Sequence, residues 1–210
     1  MNKALFYNAY SRVNSYFINT EYAARDYPKA DELTLLAPMK KDLPPEVFTS
    51  IYQPPVSKGD GYDRQNLLKA GALLDAAGWT IKDRQRVNVK TGKPLRFELL
   101  LPSGGNDQWV MPFKHNLARL GITMDIRQVD NSQATSRLRS RDYDMMQSVS
   151  RASPWPSSDL QIAWGSGYLD SSYNAPGAQS PVIDALTDKT LLSQGEKEEL
   201  RPLGVGLELA

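Results

Sequence analysis

Cysteine is absent from the 210 residues, and histidine occurs once. The first absence excludes disulfide bridges, thiolate nucleophiles and cysteine-ligated metal centres, and it fits a cytosolic protein and a bacterial periplasmic one equally well. The single imidazole, His115, has no second histidine to share a metal with. It lies on the helix face opposite Phe113 and Leu117 and reads as a solvated surface position. No apolar run approaches bilayer-spanning length, and the opening MNKALFYNAYSRVNSYF lacks both the continuous apolar core and the cleavage site of a signal peptide. Charge of one sign is also lacking: 25 Lys and Arg stand against 24 Asp and Glu, a formal net of +1. That balance removes the global electrostatic case for nucleic acid or an anionic membrane. Nucleotide motifs are missing too, since SGGN and GSG occur without a Walker lysine or a glycine-rich strand-to-helix fingerprint.

What is present suffices for a core. Hydrophobic residues make up 40% of the chain, enough for one large domain or one lobe of something bigger. Leu5, Phe6, Ala9, Val13, Tyr16 and Phe17 fall on one helical stripe, which predicts a helix over the first 17 residues. No capping residue precedes it, so the element is expected to begin upstream of Met1. Between residues 27 and 62, Pro28, Pro38, Pro44, Pro45, Pro54 and Pro55 predict a long ordered loop with one helical turn near Pro45 to Ser50.

Regular structure is predicted to begin at Tyr62. Asp63 is placed to cap a helix carrying Leu67, Ala70, Leu74 and Ala77, and Gly78 to end it in the left-handed conformation. Gly71 in its middle costs about 1 kcal/mol relative to alanine. Val87 to Val89 and Leu95 to Leu101 flank Thr91-Gly92-Lys93 and predict a β-hairpin. A helix with Trp109, Val110, Phe113, Leu117 and Leu120 follows, stopping at Gly121 and either starting near Met111 or kinked at Pro112. Then come a strand over 122–129, an Asp130-capped helix to about Arg141, and a strand over 143–149. Strand, helix, strand, helix, strand with short links predicts a βαβαβ unit with three parallel strands, so the fold class is α/β.

Past Val149 the chain turns to SRASPWPSSDLQIAWGSGYLDSSYNAPGAQSP, rich in Ser, Pro, Gly and aromatics. Loops at the carboxyl ends of parallel strands are where α/β folds place ligands, which makes this the segment to search. Asp142 and Asp144 flank Tyr143, a spacing that a turn explains better than an acid–base pair does. Trp155, Asp159, Trp164, Tyr168 and Tyr173 allow two readings. They form a pocket in which aromatic surface holds a ligand and a carboxylate pairs with its cationic group, or they pin a long loop to the domain. No nucleophile and base stand at a recognisable spacing.

The residues Tyr62 to Trp79, Gly92 to Leu99, Leu117 to Ile126 and Asp142 to Met145 resemble the second lobe of the family 5 extracytoplasmic solute-binding proteins of bacterial ABC importers. The segments MNKALFYNAYSRVNSYF and SRASPWPSSDLQ resemble the branch of that family associated with oligopeptide and microcin C uptake. The resemblance implies a type II periplasmic-binding-protein fold of cluster C. It also implies a monomeric, non-enzymatic, periplasmic receptor without cofactor or metal, which closes two lobes on an oligopeptide and delivers it to a membrane permease. In peptide-binding relatives a Trp three residues before an Asp marks the site of the ligand's α-amino group. Trp155 matches the Trp; the third residue on is Ser158, and the acid is Asp159. On this basis Arg151, Ser153, Trp155, Asp159 and Trp164 are the expected ligand-binding residues.

Against that family the chain is short. It is expected to be lobe II alone, with residues 1–61 a helix and proline-rich loop, 62–150 the α/β core and 151–210 the ligand-side loop and a truncated carboxyl segment. Gly204 and Gly206 in GVGLELA are unfavourable in a helix interior, which together with the uncapped start predicts a truncated or frame-shifted piece that binds peptide weakly or not at all. Two other readings stay open: the same family with nickel, haem or a sugar as ligand, and an unrelated small α/β hydrolase.

Overall fold

The computed structural model describes residues 2–104, 107–147, 153–193 and 197–209, without the side chains of 197–199. Helix α1 (Asn2–Phe6) ends where Tyr7 and Asn8 take positive φ, 51° and 62°. The predicted 17-residue helix therefore does not form. The amide of Asn8 donates to the Asn2 carbonyl at 3.1 Å and that of Tyr10 to Asn2 Oδ1 at 3.2 Å, so Asn2 gathers the chain into a turn that competes with the helix. The apolar stripe consequently breaks up, with Phe17 buried and Val13 exposed.

Helix α2 (Ala30–Leu36) runs on into a 3₁₀ helix over Ala37–Asp42, and α3 (Glu46–Thr49) lies where one helical turn was expected. The rest of the proline-rich stretch holds more helix than its composition suggested. Pro38 sits in the first turn of the 3₁₀ segment, where its fixed φ suits the tighter winding. Glu32 starts α2 by accepting from the Lys29 amide at 3.0 Å.

Two compact units divide the chain. The first comprises Met1–Arg12, Pro55–Arg137 and Asp142–Ser148. In it α4 (Arg64–Ala76) is capped as predicted, Asp63 Oδ1 accepting from the Asn66 amide at 2.9 Å, and Gly78 follows at φ 80°. The hairpin is displaced from its predicted place: β1 (Trp79–Lys82) pairs antiparallel with β2 (Gln85–Asn88) through a turn in which Asp83 and Arg84 both have positive φ. The turn at Thr91–Lys93 also closes, with the Gly92 amide 2.8 Å from the Asn88 carbonyl. Its far arm meets β2 at the Val87–Pro94 bridge, where the Asn88 amide donates to the Lys93 carbonyl at 2.9 Å and the Leu95 amide to the Arg86 carbonyl at 2.7 Å.

That arm becomes β3 (Arg96–Pro102), which enters a different sheet. Leu99, Leu100 and Leu101 are all buried, the continuous apolar run of a strand covered on both faces. Helix α5 (Val110–Arg119) returns the chain to β4 (Thr123–Val129), and α6 (Asn131–Ser140) returns it to β5 (Met145–Met146). All three strands are parallel in the order β4-β3-β5, with Arg96 opposite Thr123 and Leu99 opposite Met145. This is the expected βαβαβ unit. Pro112 is the third residue of α5, where no intrahelical bond is lost, and Asp130 caps α6 through the Gln133 amide at 2.9 Å. On one face of the sheet Leu99, Leu101, Val110 and Met124 pack together; on the other Leu100 meets Val129 and Ala134.

The second unit comprises Val13–Pro54, Leu138–Arg141 and Val149–Ala210. It is helical: α7 (Asp159–Trp164), a 3₁₀ turn at Ser166–Tyr168, α8 (Pro181–Leu192) and α9 (Lys197–Leu209), beside α2 and α3. Leu36, Val47, Val182, Leu186 and Leu203 form one buried cluster, and Phe17, Tyr22, Leu160 and Leu200 another. Contrary to the propensity argument, α9 continues through Gly204 and Gly206. A Cβ at Gly204 would stand 2.8 Å from Tyr22 Cβ and from Pro156 Cγ, so the glycine is what lets α9 approach those two side chains. Glu208 anchors the same helix by accepting from the backbone amides of Tyr16 and Ala24.

Candidate functional site

The second unit contains an open groove of about 830 Å³ on the surface. Three short pieces of chain build it. The first is the turn at 19–22, wound because the Thr20 hydroxyl donates to the Phe17 carbonyl at 2.7 Å and accepts from the Tyr22 amide at 3.2 Å, with Asn19 in the left-handed region at φ 66°. The second is the Pro154–Ser158 turn that leads into α7, and the third is the end of α8 at Thr190 and Leu191. Trp155 stands on this groove 55% exposed, as an aromatic plane offered to solvent. Leu191 is likewise exposed, while Tyr22 and Leu200 form buried floor. Among the described lining residues Glu21 alone is charged.

The predicted ligand residues fall in different places. Arg151 lies outside the described residues. Ser153 is half-buried ahead of the groove, and Trp155 lines it. Asp159 is exposed in the first turn of α7 and is not part of the lining. Trp164, at the far end of α7, packs edge-on against Tyr16 with ring centroids 6.2 Å apart and rests on the Phe17 cluster. Tyr168 and Tyr173 are exposed in the following loop. The structure thus brings Trp155 together with the 19–22 turn and α8, and does not gather the five residues of the aromatic segment into one pocket.

That loop is held by a different pair. Asn174, wholly buried, donates to the Gly165 and Ala178 carbonyls at 3.1 and 3.2 Å and accepts from the Ala178 amide at 2.8 Å. Arg141 adds bonds to the Leu169 and Asn174 carbonyls. Sequence reasoning missed both, and it missed the 19–22 turn. Only Asn19-Thr20, a turn-forming pair straight after the aromatic run, signalled the latter.

The carboxylates considered for acid–base work are structural. Asp144 accepts from the Glu98 amide at 2.8 Å, and Asp142 lies 3.6 Å from Arg137. His115 is exposed. Among the described residues no group of three His, Asp or Glu side chains is placed to hold a metal ion, and no helix is long and apolar enough to cross a membrane.

The model of the bacterial extracellular solute-binding proteins, family 5 Middle, matches residues 1–171. YejA of Escherichia coli (strain K12) is 71% identical over 208 residues, covering 99% of this chain and 34% of that protein. The probable peptide-binding protein YejA of Agrobacterium fabrum (strain C58 / ATCC 33970) is 35% identical over 202 residues, 95% of this chain and 33% of that one. The chain therefore spans about a third of the length of these relatives. A mannohexaose-bound periplasmic oligopeptide-binding protein of an ABC transporter from Thermotoga maritima shares the fold, with a TM-score of 0.53 and 17% identity over 74% of this chain and 32% of that one.

Proposed function

Since the chain belongs to the bacterial extracellular solute-binding proteins of family 5, we propose that it is part of the receptor of a peptide-importing ABC transporter. Its relative in Agrobacterium fabrum is named a probable peptide-binding protein, which supports peptide as the ligand class. The site we assign is the groove lined by Trp155, and from the sequence we keep Ser153, Asp159, Trp164 and Arg151, the last outside the described residues, as candidate ligand residues of the same segment. The observation that carries the assignment is an exposed tryptophan set over a groove of mixed polar and apolar lining. Such a surface offers a peptide one large rigid contact beside polar and apolar neighbours.

Binding here is recognition without turnover, in a periplasmic setting, with a membrane permease as the protein partner and neither cofactor nor nucleic acid. The complete receptor acts as a monomer that encloses its ligand from two sides. A single wall, as this chain supplies, desolvates less of the ligand and holds it more weakly. Saturation-transfer NMR reads such weak binding. The 210-residue chain is expected to transfer magnetisation to the tripeptide Phe-Ala-Ala, and Trp155→Ala to abolish the transfer. A wild-type spectrum silent at millimolar peptide would sink the proposal for this chain.

A further inference from the structure

Strand β4 lies at the end of its three-stranded sheet, paired with β3 on one side and, among the described residues, with no strand on the other. The ladder shows which of its backbone groups are used. The Thr123 amide donates to the Leu95 carbonyl at 3.1 Å, and the Val129 carbonyl accepts from the Ser103 amide at 2.8 Å. Parallel pairing alternates along a strand, so Thr123, Asp125, Arg127 and Val129 bond inward to β3, while the N–H and C=O groups of Met124, Ile126 and Gln128 point outward. Among the described residues nothing bonds them from that side. An edge of this kind is a template for another strand.

Charged side chains on an edge commonly block such pairing. In β4 they select one form of it. Asp125 and Arg127 stand two residues apart on one face of the strand, opposite in sign and both exposed. When β4 is laid antiparallel on β4 of a second copy with Ile126 against Ile126, the outward-pointing residues become the hydrogen-bonded pairs: Ile126 with itself across the axis, and Met124 with Gln128 on either side. The same register sets Asp125 opposite Arg127 of the second copy, in the non-hydrogen-bonded position where side chains come closest. Arg96 already bonds Asp125, and Glu98 lies 3.5 Å from Arg127. The charges therefore alternate without a break from β3 of one copy to β3 of the other. A slip of two residues either way, which would keep the outward groups paired, places Asp125 against Asp125 or Arg127 against Arg127.

We propose that β4 is a self-complementary edge through which two copies of this chain associate, antiparallel about Ile126, with the Asp125–Arg127 pairs selecting the register. The contact is one strand wide, so the association is weak and reversible. Strand β4 belongs to the first compact unit and the groove to the second, so the two sites share no residue and each copy keeps its own groove.

The test uses the whole chain in sedimentation equilibrium up to about 1 mM, the range of weak complexes. The wild type is expected to shift from monomer toward dimer across that range. Arg127→Glu leaves two acids on the edge and Asp125→Lys leaves two bases, so each variant alone should associate at least about tenfold more weakly. An equimolar mixture of the two variants restores opposite charges at every cross-strand pair and should associate within about threefold of wild type. A merely structural role for either residue would not be rescued by mixing. Circular dichroism reports whether each variant is folded, and hydrogen exchange on the wild type needs no variant: the amides of Met124, Ile126 and Gln128 should slow as concentration rises. A wild type that stays monomeric at about 1 mM would overturn the proposal and leave the edge to a strand from elsewhere in the receptor. Dimers that persist in each variant alone would overturn it as well, as would a mixture that associates no better than its components.

Discussion

Arg96 and Asp125 join the first two parallel strands at the exposed end of the sheet, and their effect on each other is measurable at the level of one proton. The hydrogen bond from the Arg96 guanidinium, followed by its charge and that of Lys114, holds the Asp125 carboxyl below the ordinary aspartate value. A carboxyl whose folded pKa is depressed contributes stability that is present above the unfolded value, about 3.9, and lost as pH falls through the folded one. Carbon-detected NMR should find the Asp125 midpoint below that of a free aspartate, and Arg96→Gln should raise it. Both groups are exposed and solvent screens their attraction, so the same substitution should leave the unfolding free energy nearly unchanged. An Asp125 midpoint that stays put in Arg96→Gln would show that the pair does not form. The two tryptophans of the ligand-side segment make a second contrast. Trp155 offers its ring to solvent, whereas Trp164 lies on Tyr16 and the Phe17 cluster. Trp155→Ala should therefore unfold within about 0.5 kcal/mol of wild type, and Trp164→Ala should lose about 3 kcal/mol in a urea titration. Equal losses would mean that the two indoles do the same work. Spacing alone left this question open, because exposure depends on what the rest of the chain brings up against each ring.

Glycines within helices show how propensity and packing trade places from one element to the next. In α4 a Cβ at Gly71 would meet Arg86 Nη2 at 3.8 Å and Leu120 Cδ2 at 4.0 Å, ordinary contact distances. Gly71→Ala should therefore raise the melting temperature, with a gain of up to about 1 kcal/mol from helix propensity. In α9 a Cβ at Gly204 would be 2.8 Å from two side-chain carbons, closer than atoms tolerate. Gly204→Ala should destabilise by about 1–3 kcal/mol through overpacking, in spite of the same propensity gain. Thermal unfolding of the pair settles the matter: two changes of the same sign would mean that α9 does not pack on Tyr22 and Pro156 as described. The same physics explains which elements could be read in advance. Helices with a cap or a glycine stop, such as α4 with both, α5 with Gly121 and α6 with Asp130, were legible because their signals are local. The glycine-rich α9 and the proline-bearing α2 region were not, since tertiary packing outweighs a cost of about 1 kcal/mol per residue. The hairpin was misplaced for a related reason. Asp83-Arg84 is a poor sequence signal for a turn with two positive φ values, whereas Thr91-Gly92-Lys93 is a good signal for a turn whose far arm is claimed by the parallel sheet.

Each of the two compact units carries its own apolar core, and that arrangement governs how the molecule answers damage. The α/β class was legible along the chain because βαβαβ is contiguous in sequence. The second unit was not, since it assembles residues 13–54 with residues from beyond 149, and no pattern within either segment announces the other. The groove shares that origin: Trp155 could be singled out from its neighbours, but Glu21, Tyr22 and Leu191 join it only through the fold. Leu100 and Leu186 are both wholly buried and share no cluster, the first packing with Val129 and Ala134, the second with Leu36, Val182 and Leu203. Truncating either to alanine removes a buried side chain at a cost of about 2–5 kcal/mol. Because local openings follow cooperative pieces of structure, the loss should appear where the side chain was. Amide hydrogen exchange should then speed up in β3, β4 and α6 for Leu100→Ala and in α2, α8 and α9 for Leu186→Ala, each leaving the other set within about twofold of wild type. A uniform acceleration in both variants would mean that the chain opens as a single cooperative body, and the loss in either core would then be felt at the groove.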